Sequence, residues 1–193
     1  MVFQNVPRVR RCAFWTVVFS FLAYGYRFFS AGFGGDAALV SLSGQAAYQA
    51  SLGRFLQPVY WLIRGSLVVP SVVGLFTTVF LFLSCWLIAN LFVLNRTRDI
   101  ALLSGLLVTH ETLVVSGATY LPWMDVYALS LLFAVLGAYL LMSGGRRAWL
   151  SPVFFFLSLG LYQSYLPCAA ALMILALARQ TLDGKRPGHI FAR

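Results

Sequence analysis

Long apolar runs separated by short polar breaks dominate this chain. The clearest run covers residues 70–94, and about 20 apolar residues are enough for a helix to cross the hydrocarbon core of a membrane. Tight polar and basic breaks, such as residues 95–99 and 143–147, separate the later runs. The pattern predicts six membrane-spanning helices, at residues 12–26, 70–94, 100–117, 126–142, 149–162 and 166–179.

Two stretches of the sequence allow more than one assignment of helices. Residues 149–179 are longer than one span and shorter than two ordinary spans, and Tyr162, Gln163 and Pro167 form a polar break in their middle. This break favours two short helices over one long tilted helix. Residues 36–52 are too weakly apolar for a span and residues 55–69 are amphipathic. We therefore expect residues 27–69 to form one outer loop with short helices at the membrane interface.

The composition fits this reading and excludes a soluble domain. Hydrophobic residues make up 61% of the 193 residues, charged residues 10%, and the mean hydropathy is +0.84. An ordinary soluble domain is about half apolar and about a quarter charged. The expected fold is therefore all-α, a polytopic membrane bundle of about six spans that forms one transmembrane domain over residues 1–193.

The net charge of +9 does not indicate nucleic-acid binding, because the basic residues occur in short clusters between apolar runs rather than in a stripe. Eleven of the fourteen Lys and Arg residues fall at the termini and in the two tight turns. Only Arg27, Arg54 and Arg64 fall on the other side. Since positive residues mark the cytoplasmic face, we expect a multi-pass protein of the bacterial inner membrane with both termini cytoplasmic.

The N-terminal basic region before the first apolar run also fits a signal peptide. No clean small-x-small cleavage site follows it, which favours an uncleaved first span. Cys12, Cys85 and Cys168 are far apart, and His110 and His189 are isolated. The sequence therefore predicts no metal site and no cofactor.

Polar and aromatic residues gather on the predicted outer face. They are Arg27, Asp36, Arg54, Arg64, Glu111, Tyr120, Trp123, Asp125, Tyr162 and Gln163. Charges at membrane depth usually line a cavity or a functional site, and arginine binds phosphate through two parallel hydrogen bonds. An anionic, lipid-linked substrate fits such a face. Each residue also has a simpler reading. The aspartates fit helix caps, Arg54 and Arg64 fit headgroup anchors, and Tyr120 and Trp123 fit an interfacial belt. Glu111 fits a neutral residue or one paired with a neighbouring helix, and Tyr162 with Gln163 fits an ordinary helix break.

Three stretches carry a resemblance to a known family. GRFLQPVY at residues 53–60, with IRG at 63–65, resembles the first outer loop of bacterial O-antigen-modifying glucosyltransferases of the Gtr type-two family. Asp36 stands where that loop carries its acidic residue. GATY at 117–120 with DVYAL at 125–129 resembles the second outer loop, and LSLGLYQSYL at 157–166 resembles the LSLGxYQ stretch of the family.

The resemblance implies a GT-C-like membrane glycosyltransferase that moves a sugar from a polyprenyl-phosphate carrier to a cell-envelope glycan on the outer membrane face. By similarity, Asp36 would be the catalytic base, and Arg54 or Arg64 would hold the donor phosphate. From their place on the outer face, Glu111, Tyr120, Asp125, Tyr162 and Gln163 are further substrate-binding candidates. Members are usually more than twice this length, so we expect the chain to correspond to the N-terminal part of such an enzyme.

Two other functions are compatible with the pattern. A transporter or flippase subunit for a lipid-linked sugar would bind the substrate without turnover and would usually contain internal repeats. A non-catalytic membrane scaffold would tolerate replacement of every charge on the outer face.

Overall fold

The computed structural model describes residues 6–30, 45–65 and 69–183. Within these residues the chain forms nine α-helices and no strand, which confirms the all-α prediction. The helices are α1 (Val6–Phe29), α2 (Ala46–Ser51), α3 (Leu56–Arg64), α4 (Pro70–Leu91), α5 (Thr97–Val108), α6 (Glu111–Thr119), α7 (Met124–Ser143), α8 (Ser151–Leu161) and α9 (Leu166–Leu182). Short 3-10 segments at Leu121–Trp123, Gly145–Leu150 and Gln163–Tyr165 precede α7, α8 and α9.

Several of these helices are long and apolar enough to cross a membrane. Among the described residues, α1, α4, α7 and α9 meet this condition, and α5 with α6 forms a fifth candidate that is bent by 48°. Helix α8 has 11 residues and is therefore only about 16 Å long. The six predicted spans thus correspond to four long helices, one bent pair and one short helix, and the protein is a membrane protein.

Proline sets the start of three helices. Pro70, Pro152 and Pro167 stand in the first turns of α4, α8 and α9. The first backbone N–H groups of a helix have no intrahelical partner, so proline loses nothing there and its fixed φ angle favours the helical start. These prolines therefore fix the helix boundaries on which the site below depends.

Helix α7 lies at the centre of the bundle and packs against α4, α8 and α9. Its Gly137 lies under the ring of Phe155 on α8, where an added Cβ would come within 2.6 Å of the ring. Two reciprocal hydrogen bonds also join the two helices. Ser130 Oγ donates to Ser158 O at 3.0 Å, and Ser158 Oγ donates to Ser130 O at 2.9 Å. Small and hydroxyl side chains of this kind let helices pack closely within a membrane.

Arginine side chains join helix termini at both ends of the bundle. At one end, Arg8 on α1 donates to Asn90 Oδ1 on α4 at 2.6 Å, and Arg179 on α9 donates to Phe92 O. We call this the basic end. At the other end, Arg27 near the end of α1 donates to Ala118 O on α6 at 3.1 Å. The start of α7 and the break between α8 and α9 lie at this second end.

Candidate functional site

A cleft of about 920 Å³ lies at the end of the bundle opposite the basic end. Helix α2, helix α6, the start of α7 and the break between α8 and α9 form its walls. Its lining residues are Gln45, Tyr48, Gln49, Leu52, Arg54, Glu111, Thr112, Val115, Ser116, Tyr120, Trp123, Tyr127 and Tyr162. Four of the candidates from the sequence, Arg54, Glu111, Tyr120 and Tyr162, thus lie in one cavity. Its size is that of a small-molecule binding site.

Arg54 is the basic residue among those that line this cleft. It follows the turn after α2, and its backbone N–H donates to Gln49 O at 2.9 Å. Its Nη1 donates to Gln49 Oε1 at 3.3 Å, and its guanidinium lies 4.8 Å from the centroid of the Tyr162 ring. Both partners are neutral, and within the described residues Arg54 forms no ion pair. Its positive charge is therefore available to an anion in the cleft.

Aromatic rings form a large part of the cleft wall. The rings of Tyr127 and Tyr162 lie 4.4 Å apart between centroids. Tyr120 and Trp123 form an edge-to-face pair at 6.0 Å, and Trp123 is nearly fully buried while Tyr120 is 39% exposed. Binding pockets commonly combine such aromatic walls with a few polar groups that fix the orientation of the ligand. The cleft has this combination.

A bend in the chain places Glu111 and Thr112 on the cleft. His110 precedes α6 and links this bend to the start of α9: its Nδ1 lies 2.6 Å from Leu107 O and its Nε2 lies 2.8 Å from Tyr165 Oη. A carbonyl can only accept, so Nδ1 carries the hydrogen, and in the neutral ring Nε2 accepts from the Tyr165 hydroxyl. Glu111 then begins α6 with an exposed side chain.

Arg64 and Asp125, two further candidates, form a buried ion pair. Arg64 Nη1 lies 2.8 Å from both carboxylate oxygens, and the two side chains are 2% and 0% exposed. The same nitrogen donates to Pro122 O at 3.0 Å, and Tyr60 Oη donates to Asp125 Oδ2 at 2.8 Å. Neither charged side chain lines the cleft. The pair instead fastens α3 to the start of α7.

Tyr60 completes this buried cluster as a neutral donor. Burial raises the pKa of its hydroxyl above the usual tyrosine range, and the nearby Asp125 charge raises this pKa further. Both effects disfavour the phenolate. Tyr60 therefore keeps its proton and its hydrogen bond to the carboxylate.

Gln163, the remaining described candidate, has its side-chain amide committed to the backbone. Its Nε2 donates to Leu52 O at 2.9 Å, just before Arg54 in the chain. Helix α3 is held to the same region, because Gln57 Nε2 donates to Leu161 O at 2.7 Å. The stretches at 53–60 and 157–166, which are far apart in sequence, therefore contact each other. Asp36, the candidate base, lies outside the described residues.

The sequence reading missed several lining residues. Gln45, Tyr48 and Gln49 lie in a segment too weakly apolar to be assigned a role, and Thr112 falls inside a predicted span. Tyr127 also falls within a predicted span, although it belongs to one of the stretches that carry the resemblance. Thr112 and Tyr127 could have been found as polar or tyrosine residues inside an apolar run, since such residues usually face a cavity or another helix.

The fold and the cleft define a class of protein, a multi-helix membrane protein with a polar and aromatic cavity at one end of its bundle. The chain belongs to the family described as Glucosyl transferase GtrII, whose model matches residues 36–191. This match confirms the family that the resemblance indicated, and it includes every residue of the cleft. No curated protein and no solved structure matches the chain.

Proposed function

We propose that this protein transfers glucose from a polyprenyl-phosphate carrier to a cell-envelope glycan, and that the cleft binds the glucosyl-phosphate part of the donor. The observation that carries the proposal is Arg54, which lines the cleft with neutral partners. Its Nε is buried and has no hydrogen-bond partner among the described residues. A planar guanidinium with free N–H groups is well suited to a phosphate.

The other walls of the cleft suit the sugar. The aromatic residues at Tyr120, Trp123 and Tyr127 offer apolar surface to a pyranose ring, and the Glu111 carboxylate offers an acceptor for its hydroxyl groups. The cavity lies at one end of the bundle rather than in its middle, so a polyprenyl chain can remain in the lipid while its headgroup enters the cleft. A lipid-linked sugar therefore fits the position of the cavity as well as its lining.

In the proposed reaction, the acceptor hydroxyl oxygen attacks the anomeric carbon and the bond from that carbon to the phosphate oxygen breaks. The polyprenyl phosphate leaves with the bonding electrons, so negative charge increases on the phosphate. Arg54 stabilises this charge. The proton of the acceptor hydroxyl passes to a carboxylate, which we assign to Asp36 from the family resemblance. With inversion at the anomeric carbon, one base is sufficient.

We further propose that the cleft faces the outer side of the bacterial inner membrane. Basic residues concentrate at the basic end, where α1 begins and α9 ends, and the tight turns that carry Arg96, Arg98, Arg146 and Arg147 follow α4 and α7. Positive residues favour the cytoplasmic face. The termini would then be cytoplasmic, and the cleft would meet an acceptor glycan on the outer side.

The test is a kinetic comparison of Arg54 variants in membranes from cells that produce the protein from its complete coding sequence. Replacing Arg54 with Lys keeps the charge but loses the planar group, so we expect KM for the glucosyl donor to rise about tenfold. Arg54→Ala should also lower kcat, because charge stabilisation in the transition state is lost. Radiolabelled glucose transfer measures both constants.

Arg27→Ala is the matched control. Arg27 lies at the same end of the bundle and is half-buried, but it does not line the cleft. We expect its kinetic constants to match those of the parent. Parent-like constants for both Arg54 variants would show that Arg54 does not bind the donor and would contradict the proposal.

A further inference from the structure

The turn that carries Arg54 has an unusual dependence on one distant side chain. Gly53 adopts a φ of +79°, a conformation that favours glycine. Gln163 Nε2 donates to Leu52 O at 2.9 Å, and a Cβ on Gly53 would lie 2.5 Å from this nitrogen. The glycine therefore supplies both the backbone conformation and the space that the Gln163 amide occupies. Gln163 holds the turn immediately before Arg54.

The segment that presents Gln163 is itself anchored just before this residue, by donors from two neighbouring helices. Helix α8 ends at Leu161, which leaves its last carbonyl groups without helical partners. Leu161 O accepts from Gln57 Nε2 at 2.7 Å, and Tyr162 O lies 3.0 Å from Ser130 Oγ, whose single hydrogen it shares with Ser158 O. Both donors are buried residues of neighbouring helices. The break between α8 and α9 is therefore a firm support.

Tyr162, the residue next to Gln163, contacts the arginine itself. Its ring centroid lies 4.8 Å from the Arg54 guanidinium carbon, within the range of a cation–π interaction. Tyr127 supports this ring at 4.4 Å and Tyr165 at 5.7 Å. The Arg54 guanidinium thus packs against an aromatic ring that is itself held in place. Among the described residues, no carboxylate forms an ion pair with Arg54.

We propose that Tyr162 and Gln163 are positioning residues that hold the Arg54 guanidinium in the cleft and so set the affinity for the phosphate of the donor. Gln163 fixes the backbone before Arg54, and Tyr162 fixes the side chain. This inference rests on the proposed function, because it assigns to both residues an effect that passes through Arg54. It differs from the expectation from sequence, in which Tyr162 and Gln163 bind the substrate directly.

The experiment measures binding of decaprenyl phosphate to the full chain in lipid nanodiscs. Trp123 lines the cleft, so a change in tryptophan fluorescence when the ligand is added measures occupancy of the cleft. We expect Tyr162→Leu to raise the Kd about tenfold, the change typical of a lost, partly desolvated cation–π contact. Tyr162→Phe keeps the ring and should stay within about twofold of the parent. Gln163→Leu should raise the Kd by a similar factor to Tyr162→Leu, and Ser164→Ala, on the exposed neighbour, is the control.

The decisive comparison repeats Tyr162→Leu and Gln163→Leu in the Arg54→Ala background. If both residues act through Arg54, neither change should weaken binding further there. If the two changes raise the Kd by the same factor with and without Arg54, they damage the fold in general, and the inference is overturned. A parent-like Kd for Tyr162→Leu, together with a raised Kd for Arg54→Ala, would overturn the inference as well. A parent-like Kd for Arg54→Ala would instead refute the proposed donor site, and the inference with it.

Discussion

Replacing Asp36 with Asn is expected to nearly abolish glucose transfer while leaving production and membrane insertion unchanged. A general base removes the acceptor proton during attack, and its loss typically costs about 10²–10⁴-fold in rate. Asn has nearly the same shape as Asp and keeps a side-chain oxygen of the kind that accepts the hydrogen bonds of a helix N-cap, and a lost cap costs only about 1 kcal/mol of stability. Transfer of radiolabelled glucose, normalised to the amount of protein in the membrane, separates these roles.

The described carboxylates supply the control for this prediction. Asp125 is buried in an ion pair, whereas Glu111 lines the cleft and is exposed. Glu111→Gln should therefore weaken donor binding without the large loss in kcat expected for Asp36→Asn. A parent-like rate for Asp36→Asn, together with loss of transfer in Glu111→Gln, would assign the base to Glu111.

Removing the Asp125 carboxylate is expected to cause the largest loss of stability in the described part of the chain. Asp125→Ala leaves the Arg64 guanidinium buried without its counter-charge, and breaking a buried pair in this way costs about 3–5 kcal/mol. Replacing both residues with apolar side chains, Arg64→Leu with Asp125→Leu, removes the unpaired charge and should recover much of this loss. Thermal unfolding of the detergent-solubilised protein measures the difference.

An exposed ion pair serves as the matched control. Arg179 and Asp183 lie 3.9 Å apart, and their side chains are 44% and 54% exposed. Asp183→Ala should change the stability by at most about 1 kcal/mol, since solvent screens such pairs. If Asp125→Ala is no more destabilising than Asp183→Ala, the buried pair does not fasten α3 to α7.

The sequence predicted the all-α class, the approximate helices and, for the candidates within the described residues, their position at one end of the bundle. It could not separate Arg54 from Arg64, because both lie in the same amphipathic region of the first loop. Their difference arises from partners far along the chain: Asp125 buries Arg64, and Tyr162 holds Arg54 at the cleft. Apolar periodicity reports which face of a helix is buried, but it does not report which distant residue lies opposite.

The bend before α6 was not predicted, although the polar residues Thr109, His110 and Glu111 interrupt the apolar run at this point. Residues 100–117 read as one continuous span, whereas the chain breaks between Val108 and Glu111. His110 stabilises this break through Leu107 and Tyr165, and the tertiary contact with Tyr165 is not visible in a local window. The same bend places Glu111 and Thr112 on the cleft, so the site depends on the feature that local reasoning missed.

The most direct test of the donor site is photo-crosslinking with a glucosyl polyprenyl phosphate that carries a diazirine on its glucose. Mass spectrometry of the labelled protein then locates the sugar. We predict labelling within residues 45–54 and 111–127 or at Tyr162, with excess unlabelled donor suppressing it and Arg54→Ala reducing it. Labelling confined to the basic end, around Arg8 and Arg179, would contradict the assignment of this cleft as the donor site.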